Sequence, residues 1–141
     1  MIQYKEGNKI PLKELRRLYA AVRWLHFTRP KLLRTVYDRS DYVVSAWDGK
    51  KLVGVARAIS DGVFNAYLPD VLVDPQYRRI GIARELVRRI LKHYDGLYNI
   101  TVVAEDEGGR AFFYNCGFTQ MRVALRRMRP IKRVVMLKEG R

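Results

Sequence analysis

The sequence predicts one α/β domain of the α+β kind over residues 1–141, a mixed and mostly antiparallel sheet packed with about four helices. Three observations point there. Strand-like and helical periods follow one another in the order strand, two helices, three strands, helix, strand, helix, strands. Asp48-Gly49 joins two apolar runs as a hairpin would, which makes that part of the sheet antiparallel. The apolar run ending at Val73 passes through Asp74-Pro75 into a helical pattern and then into another apolar run.

Taken in order, Ile2 to Lys5 alternates as a first edge strand. Pro11 opens a helix whose inward positions are Leu12, Leu15, Leu18, Tyr19 and Val22. Trp24, Leu25, Phe27 and Pro30 form a loop or a broken turn, and Lys31 to Arg39 is a second short helix with Leu32, Leu33, Val36 and Tyr37 inward. Tyr42 to Trp47 and Lys51 to Ile59 are the hairpin strands. Asp61-Gly62 turns the chain into a strand from Asn65 to Val73. Pro69 interrupts that strand, and because it has no N–H to give a ladder it marks a bulge or a local opening. Ile82, Leu86, Ile90 and Leu91 share a helix face that Asp95-Gly96 ends. Tyr98 to Ala104 reads as a buried strand, Gly109 to Cys116 as a short helix, and Gly117 as its left-handed cap. Phe118 to Leu125 and Val134 to Leu137 close the chain as strands. No linker, repeat or low-complexity stretch divides it.

Composition narrows the function classes. Hydrophobic residues are 48% and charged residues 30%, a globular balance, and no apolar run approaches the roughly 20 residues of a membrane span. MIQYKEGNKI lacks the features of a signal peptide, and the single cysteine, Cys116, fits a reducing compartment, so the cytoplasm is expected. The net charge of +14 is compatible with a solvated basic surface, an anionic ligand or nucleic acid. No RNA-recognition signature, metal-finger spacing or helix-turn-helix pattern supports the last. His26 and His93 have no partners at metal-ligand or triad spacing, which makes them surface or loop residues, and no metal is expected. Cys116 is read as a structural thiol.

The segment Val71 to Arg84, VLVDPQYRRIGIAR, holds the densest chemistry. An apolar strand turns through a basic loop into a helix, and helix starts carry unpaired N–H groups with a partial positive charge. Gly81 and Ala83 leave room for a ligand at the backbone. The segment is an anion site or a tight turn with solvated arginines. Arg78-Arg79-Ile80-Gly81-Ile82-Ala83 fits the pattern Arg/Gln-x-x-Gly-x-Gly/Ala, preceded by Val73-Asp74-Pro75-Gln76-Tyr77. The run Ala111-Phe112-Phe113-Tyr114-Asn115-Cys116-Gly117-Phe118 ends on aromatics and Gly-Phe. With these two motifs and a strand between them, nearly the whole chain resembles the GNAT superfamily of acetyl-CoA-dependent N-acetyltransferases. Leu18-Tyr19, Trp24 and Tyr42 to Gly49 are similar to a small prokaryotic branch that plant serotonin N-acetyltransferase-like enzymes share.

The resemblance implies a splayed central strand pair and acetyl-CoA as co-substrate. It implies amides of Arg78, Arg79, Ile80, Gly81, Ile82 and Ala83 on the pyrophosphate, with charge added by Arg78, Arg79 and Arg84. Leu72 and Val73 are expected to pair their backbones with pantetheine. Where Arg79 stands the family often has Gly, so the loop is less compact or Arg79 points outward. Asp70 falls where the family places a glutamate that accepts the amine proton; it serves as base through water, binds an ammonium, or caps the Pro69 irregularity. The family's tyrosine acid is replaced by Phe113, which leaves Tyr114 as acid, or departure of an unassisted thiolate, with Phe113 packing on the coenzyme or in the core. Asp106 matches a coenzyme-contacting asparagine, and with Glu105 and Glu107 it either draws in a cationic amine or forms a solvated loop. Tyr19, Trp24 and Phe27 line an acceptor pocket or pack in the core. The implied reaction is direct attack by a primary amine in a ternary complex. The alternatives are a CoA-binding module with little catalysis and a basic nucleic-acid-associated protein. A homodimer through terminal strands, framed by Arg122 to Arg133, is a further expectation.

Overall fold

The computed structural model describes residues 1–24, 29–121 and 124–128. Its elements are β1 (Ile2–Glu6), α1 (Leu12–Ala21), α2 (Pro30–Asp38), β2 (Tyr42–Asp48), β3 (Lys51–Ser60), β4 (Asn65–Val73), α3 (Ile82–His93), β5 (Asn99–Val102) and α4 (Glu107–Asn115). The sheet order is β1-β2-β3-β4-β5, antiparallel throughout except for the parallel pair β4–β5. The expected mixed, mostly antiparallel α/β architecture with four α-helices is thus present in the described residues.

β2 and β3 are buried almost end to end because both faces of the sheet are covered. On one face Val44, Ala46, Ala56 and Ala58 pack under α3 through Ile82, Leu86 and Ile90. On the other, Val43, Val55 and Leu72 pack under α1 and α2 through Leu15, Leu18, Tyr19, Leu33 and Tyr37. Each fully buried Leu or Ile contributes about 1.5–3 kcal/mol. Gly54 permits the closest approach on the α3 side: a Cβ there would lie 2.9 Å from Cγ2 of Ile82, the first residue of α3.

Two local expectations shift. Asp48 pairs with Lys51, so the hairpin loop is Gly49-Lys50 rather than Asp48-Gly49. Gly49 alone takes positive φ there (+61°), as the first position of a type II′ turn requires. β5 spans only Asn99–Val102 and is half-exposed, because it pairs with β4 over four residues and then parts from it. Phe118–Met121 and Ala124–Leu125 form no strand, and Met121 and Leu125 are exposed: alternation yields a strand only where an edge pairs with it. Arg122, Arg129 to Arg133 and Val134 to Leu137 lie outside the described residues, as do Leu25, His26 and Phe27. No helix among the described residues is long and apolar enough to cross a membrane.

Both helix ends that flank the later site close in the same way. At the end of α4, Gly117 N–H donates to Tyr114 O and Phe118 N–H to Phe113 O, with Gly117 at φ +98° and the Phe113 and Phe118 rings edge to face. This is a Schellman motif with its hydrophobic contact, and it gives the Gly-Phe signature a physical reason. At the end of α1, Arg23 N–H donates to Ala20 O and Trp24 N–H to Tyr19 O, with Arg23 at φ +69° and Trp24 edge-on to Tyr19.

Candidate functional site

Pro69 produces the opening. Between Arg57↔Asp70 and Ile59↔Tyr67 the register slips, two steps on β3 facing three on β4, so β4 carries a one-residue bulge. At the same place β4 leaves β5: the parallel register runs from Asn65↔Asn99 to Leu68↔Val102 and stops. Beyond Leu68, β4 is paired, among the described residues, only with β3.

Asp74 N–H donates to Val53 O, which makes Val73↔Gly54 a non-hydrogen-bonded pair and Leu72↔Val55 a hydrogen-bonded one. Val71 and Val73 therefore turn their N–H and C=O groups away from β3, toward the opening. Leu72 spends its backbone on the sheet and its side chain in the core under α1 and α2. This moves the expected free backbone groups from Leu72 to Val71, although Leu72 still borders the opening.

The opening is a cleft of about 620 Å³ lined by Val71 to Val73, Tyr77, Arg78, Arg79, Gly81 to Arg84, Val22, Trp24, Phe112 and Asn115. One end is the start of α3. Gly81 is the N-cap with φ +90°, and no side chain caps the helix, which leaves its first-turn amides to a ligand. Arg79 adopts φ +67°, so it takes the left-handed conformation a glycine would and remains exposed. The loop has not loosened; the backbone absorbs a cost of about 1–2 kcal/mol for a non-glycine residue in that region. Arg78, Ile80 and Arg84 are exposed, Ile82 is buried beneath them, and Ala83 is half-buried. Arg78 Nε lies 3.4 Å from Val73 O. Asp74 holds the approach, its Oδ1 accepting from Gln76 N–H, while Tyr77 OH donates to Asp48 at 2.6 Å.

Asp70 stands where the two strands part and is buried. Its Oδ2 accepts from Arg57 Nε at 2.5 Å and Tyr19 OH at 2.9 Å, and Tyr19 OH lies 2.7 Å from Tyr37 OH. Burial drives the Tyr19 and Tyr37 hydroxyls far above the usual phenol range, so both remain protonated donors. Burial works against the Arg57 charge, but the Asp70 carboxylate outweighs it and raises the guanidinium further. Tyr19 is accordingly a buried member of this network and does not line the cleft. Trp24 does line it.

α4 presents Phe112 and Asn115 to the cleft, positions three apart on one helix face. Phe113 and Tyr114, turned about 100° and 200° from Phe112, line a separate cavity of about 690 Å³ against β5. Tyr114 is exposed with its OH 3.4 Å from Gln120 Oε1, and Phe113 packs on Phe112 and Phe118. Helical phase thus places Phe113 and Tyr114 on the β5 side of α4 and outside the lining of the cleft. Asp106 is the N-cap of α4, accepting from Gly109 N–H at 2.7 Å, and is absent from the cleft wall. Glu105 is exposed, 4.0 Å from Arg126, and is equally absent from it. Burial pushes the half-buried Cys116 thiol up, away from thiolate chemistry. No cluster of metal-ligating residues occurs among the described residues. His93 is exposed and stacks on Tyr42 at 3.7 Å.

The chain resembles known proteins in sequence and in fold. A sequence model of the Acetyltransferase (GNAT) family matches residues 11–118. A histone acetyltransferase of Glycine max is 29% identical over 131 residues, covering 83% of this chain and 55% of that protein. The chain thus spans about half of it, and less of the next curated relatives. An uncharacterized N-acetyltransferase of Pyropia yezoensis is 32% identical over 123 residues, covering 82% of this chain and 69% of that protein. A solved GNAT-family acetyltransferase from Streptococcus pneumoniae superimposes with a TM-score of 0.75 at 26% identity, covering 91% of this chain and all of the other. With the bulged and parting strand, the uncapped α3 and the two sequence motifs already in place, these matches complete the assignment: the chain belongs to the GNAT family of acetyltransferases.

Proposed function

We propose that the cleft binds acetyl-CoA and that the protein transfers its acetyl group to a primary amine by direct attack in a ternary complex. The observation that carries this reading is the departure of β4 from β5 at Pro69, which turns the Val71 and Val73 backbone toward a cleft ending on the uncapped start of α3. Val71 and Val73 offer amide-pairing groups at the spacing of an extended arm. The amides of Gly81 to Ala83, with Arg78, Arg79 and Arg84, offer donors and positive charge to a pyrophosphate. The thioester supplies an activated acetyl group. The amine lone pair attacks its carbonyl carbon, the N–C bond forms, the C–S bond breaks, and the proton lost by nitrogen is balanced by protonation of the thiolate.

The chain's own contribution is mainly positioning. Asp70 already accepts from Arg57 and Tyr19, so its role in this reading is to hold the amine or an ordered water near the parting point. Tyr114 faces the other cavity, so thiolate stabilisation falls to backbone amides and water. Tyr114→Phe is expected to keep near-wild-type turnover; a tenfold loss would restore Tyr114 as the acid. The replacement of the tyrosine by Phe113 also favours a second reading, a CoA-binding protein with slow chemistry. Calorimetry with acetyl-CoA, followed by thiol release with an amine panel, tests both. Binding that Gly81→Trp abolishes supports the site, and steady thiol release supports the enzyme. Absence of binding, with salt-sensitive binding of DNA instead, would overturn the proposal.

A further inference from the structure

Tyr19 touches two parts of the candidate site at once. Its hydroxyl donates to Asp70 Oδ2 at 2.9 Å, and its ring meets Trp24, a cleft residue, edge-on at 6.2 Å. Trp24 N–H also donates to Tyr19 O at 2.9 Å, so main chain and ring both seat that wall residue on the same tyrosine. A second ring, Tyr37, meets Tyr19 edge-on at 6.2 Å.

The hydroxyls are ordered. A phenol has one proton to give, and Tyr19 gives its proton to the carboxylate. In the 2.7 Å contact between the two hydroxyls Tyr37 is therefore the donor. Burial raises both phenols far above their ordinary range and keeps them protonated. The chain thus runs one way, from Tyr37 on α2 through Tyr19 on α1 to Asp70 on β4. Arg57 on β3 bonds the same oxygen. Among the described residues, every bond to the Asp70 side chain falls on Oδ2. Oδ1 accepts none, yet among the described residues only Arg34 Nε is both fully occluded and without a hydrogen bond. Oδ1 therefore reaches space that protein atoms leave open. The carboxylate is held by one oxygen and presented by the other.

Resting on the acetyltransferase reading, we propose that Tyr19 is a positioning residue with two separable roles: its hydroxyl, backed by Tyr37, turns Asp70 so that Oδ1 meets the acceptor nitrogen, and its ring seats Trp24 against the coenzyme arm. Neither tyrosine touches substrate; each acts through Asp70 or Trp24. Without the Tyr19 hydroxyl, Oδ2 keeps only Arg57 and the carboxylate gains freedom to rotate, so the amine meets the thioester in fewer productive orientations. Tyr37 polarises the Tyr19 hydroxyl and adds a smaller effect in the same direction.

The test pairs calorimetric acetyl-CoA affinity with thiol release at saturating acetyl-CoA, using 2-phenylethylamine, spermidine and a lysine-rich peptide as acceptors. Tyr19→Phe keeps the ring and loses the hydroxyl. Its turnover with the best of the three acceptors should fall about tenfold while acetyl-CoA affinity stays within about twofold. Tyr37→Phe should lower turnover about threefold and leave affinity alone. Tyr19→Leu loses the ring as well, so its acetyl-CoA affinity should also fall about fivefold. Trp24→Leu, which leaves Tyr19 in place, should lose the same affinity and keep its turnover at saturation. Tyr19→Phe strands the Tyr37 hydroxyl, whereas the double variant Tyr19→Phe/Tyr37→Phe strands neither. It should fold and turn over as slowly as Tyr19→Phe alone, because Tyr37 acts only through Tyr19. Unchanged turnover in Tyr19→Phe and in the double variant overturns the inference, as does a matching loss of acetyl-CoA affinity in either. So does binding of acetyl-CoA with no thiol release from any of the three acceptors. Failure of the wild type to bind acetyl-CoA strikes the underlying reading instead.

Discussion

At Ala66 and Tyr67, β4 is paired with both β3 and β5; from Asp70 to Val73 it keeps, among the described residues, β3 alone and turns its other edge to a cleft. The residues are similar in kind, and both halves keep a buried face. The difference comes from a bulge and a missing N–H at Pro69. It teaches that the proposed binding surface is main chain first and side chain second, with alternate residues of one strand paired in the sheet and turned to the cleft.

That division can be broken by exchanging the two classes. Leu72→Pro removes a ladder bond and a core side chain and is expected to cost about 4 kcal/mol or more, seen as loss of folding at moderate urea. Val73→Pro leaves the ladder intact but removes a cleft-facing N–H and a buried side chain, so it should cost less stability than Leu72→Pro while weakening acetyl-CoA about tenfold by calorimetry. Equal unfolding by the two would place Val73 in the ladder and end the distinction. At the hinge between the halves, Arg57→Leu leaves the Asp70 carboxylate buried without its cation, an expected loss of about 3–5 kcal/mol in chemical denaturation. A loss below about 1 kcal/mol would mean that the pair is solvated rather than buried.

Smaller effects sharpen the cleft half alone. Gly81→Ala meets open space and only backbone strain, so it should cost about 1 kcal/mol. Arg79→Gly relieves strain of the same kind but frees the unfolded chain, so its stability should rise by no more than about 1 kcal/mol. The two thermal midpoints should move in opposite directions. Smallest is a pH effect on α3. Bonding to Arg88 holds the Glu85 carboxyl down at about 2, with burial opposing and Arg89 assisting. A carboxyl depressed in the folded state contributes stability above its ordinary value of 4.5, and that contribution is lost as pH falls toward about 2. Glu85→Gln should flatten the fall in midpoint over that window; an unchanged slope would assign the acid sensitivity to other carboxyls.

The architecture was readable because its signals are local. Helical spacing located α1 and α3, Pro69 announced the bulge, and Gly117 announced the cap of α4. What failed were questions of phase. A one-residue shift separates Gly49-Lys50 from Asp48-Gly49 as the turn, and strand pairing, absent from a one-dimensional pattern, decides it. Val71 and Val73 differ from Leu72 only through which amide reaches β3. In α4, Phe112, Phe113, Tyr114 and Asn115 all resemble cleft residues in sequence, and only the docking of the helix selects Phe112 and Asn115. Tyr19 was legible as an aromatic near Trp24, but its bonds to Asp70 and Tyr37 span 51 and 18 residues. The Trp24 side of that contact was the more accessible to inference, since the α1 cap fixes it locally even with Arg23 where glycine is usual.

Gly54 shows how far the proposed anion site reaches into the rest of the chain. The first turn of α3 rests where it does because a side chain is missing from the middle of a hairpin strand, 27 residues earlier than Gly81. Any substitution there must push Ile82, and with it the amides that face the cleft. A survey of variants defective in acetyl-CoA use would therefore recover position 54 beside the basic loop, although it touches no ligand. In mutational tolerance, this glycine belongs with the proposed binding site.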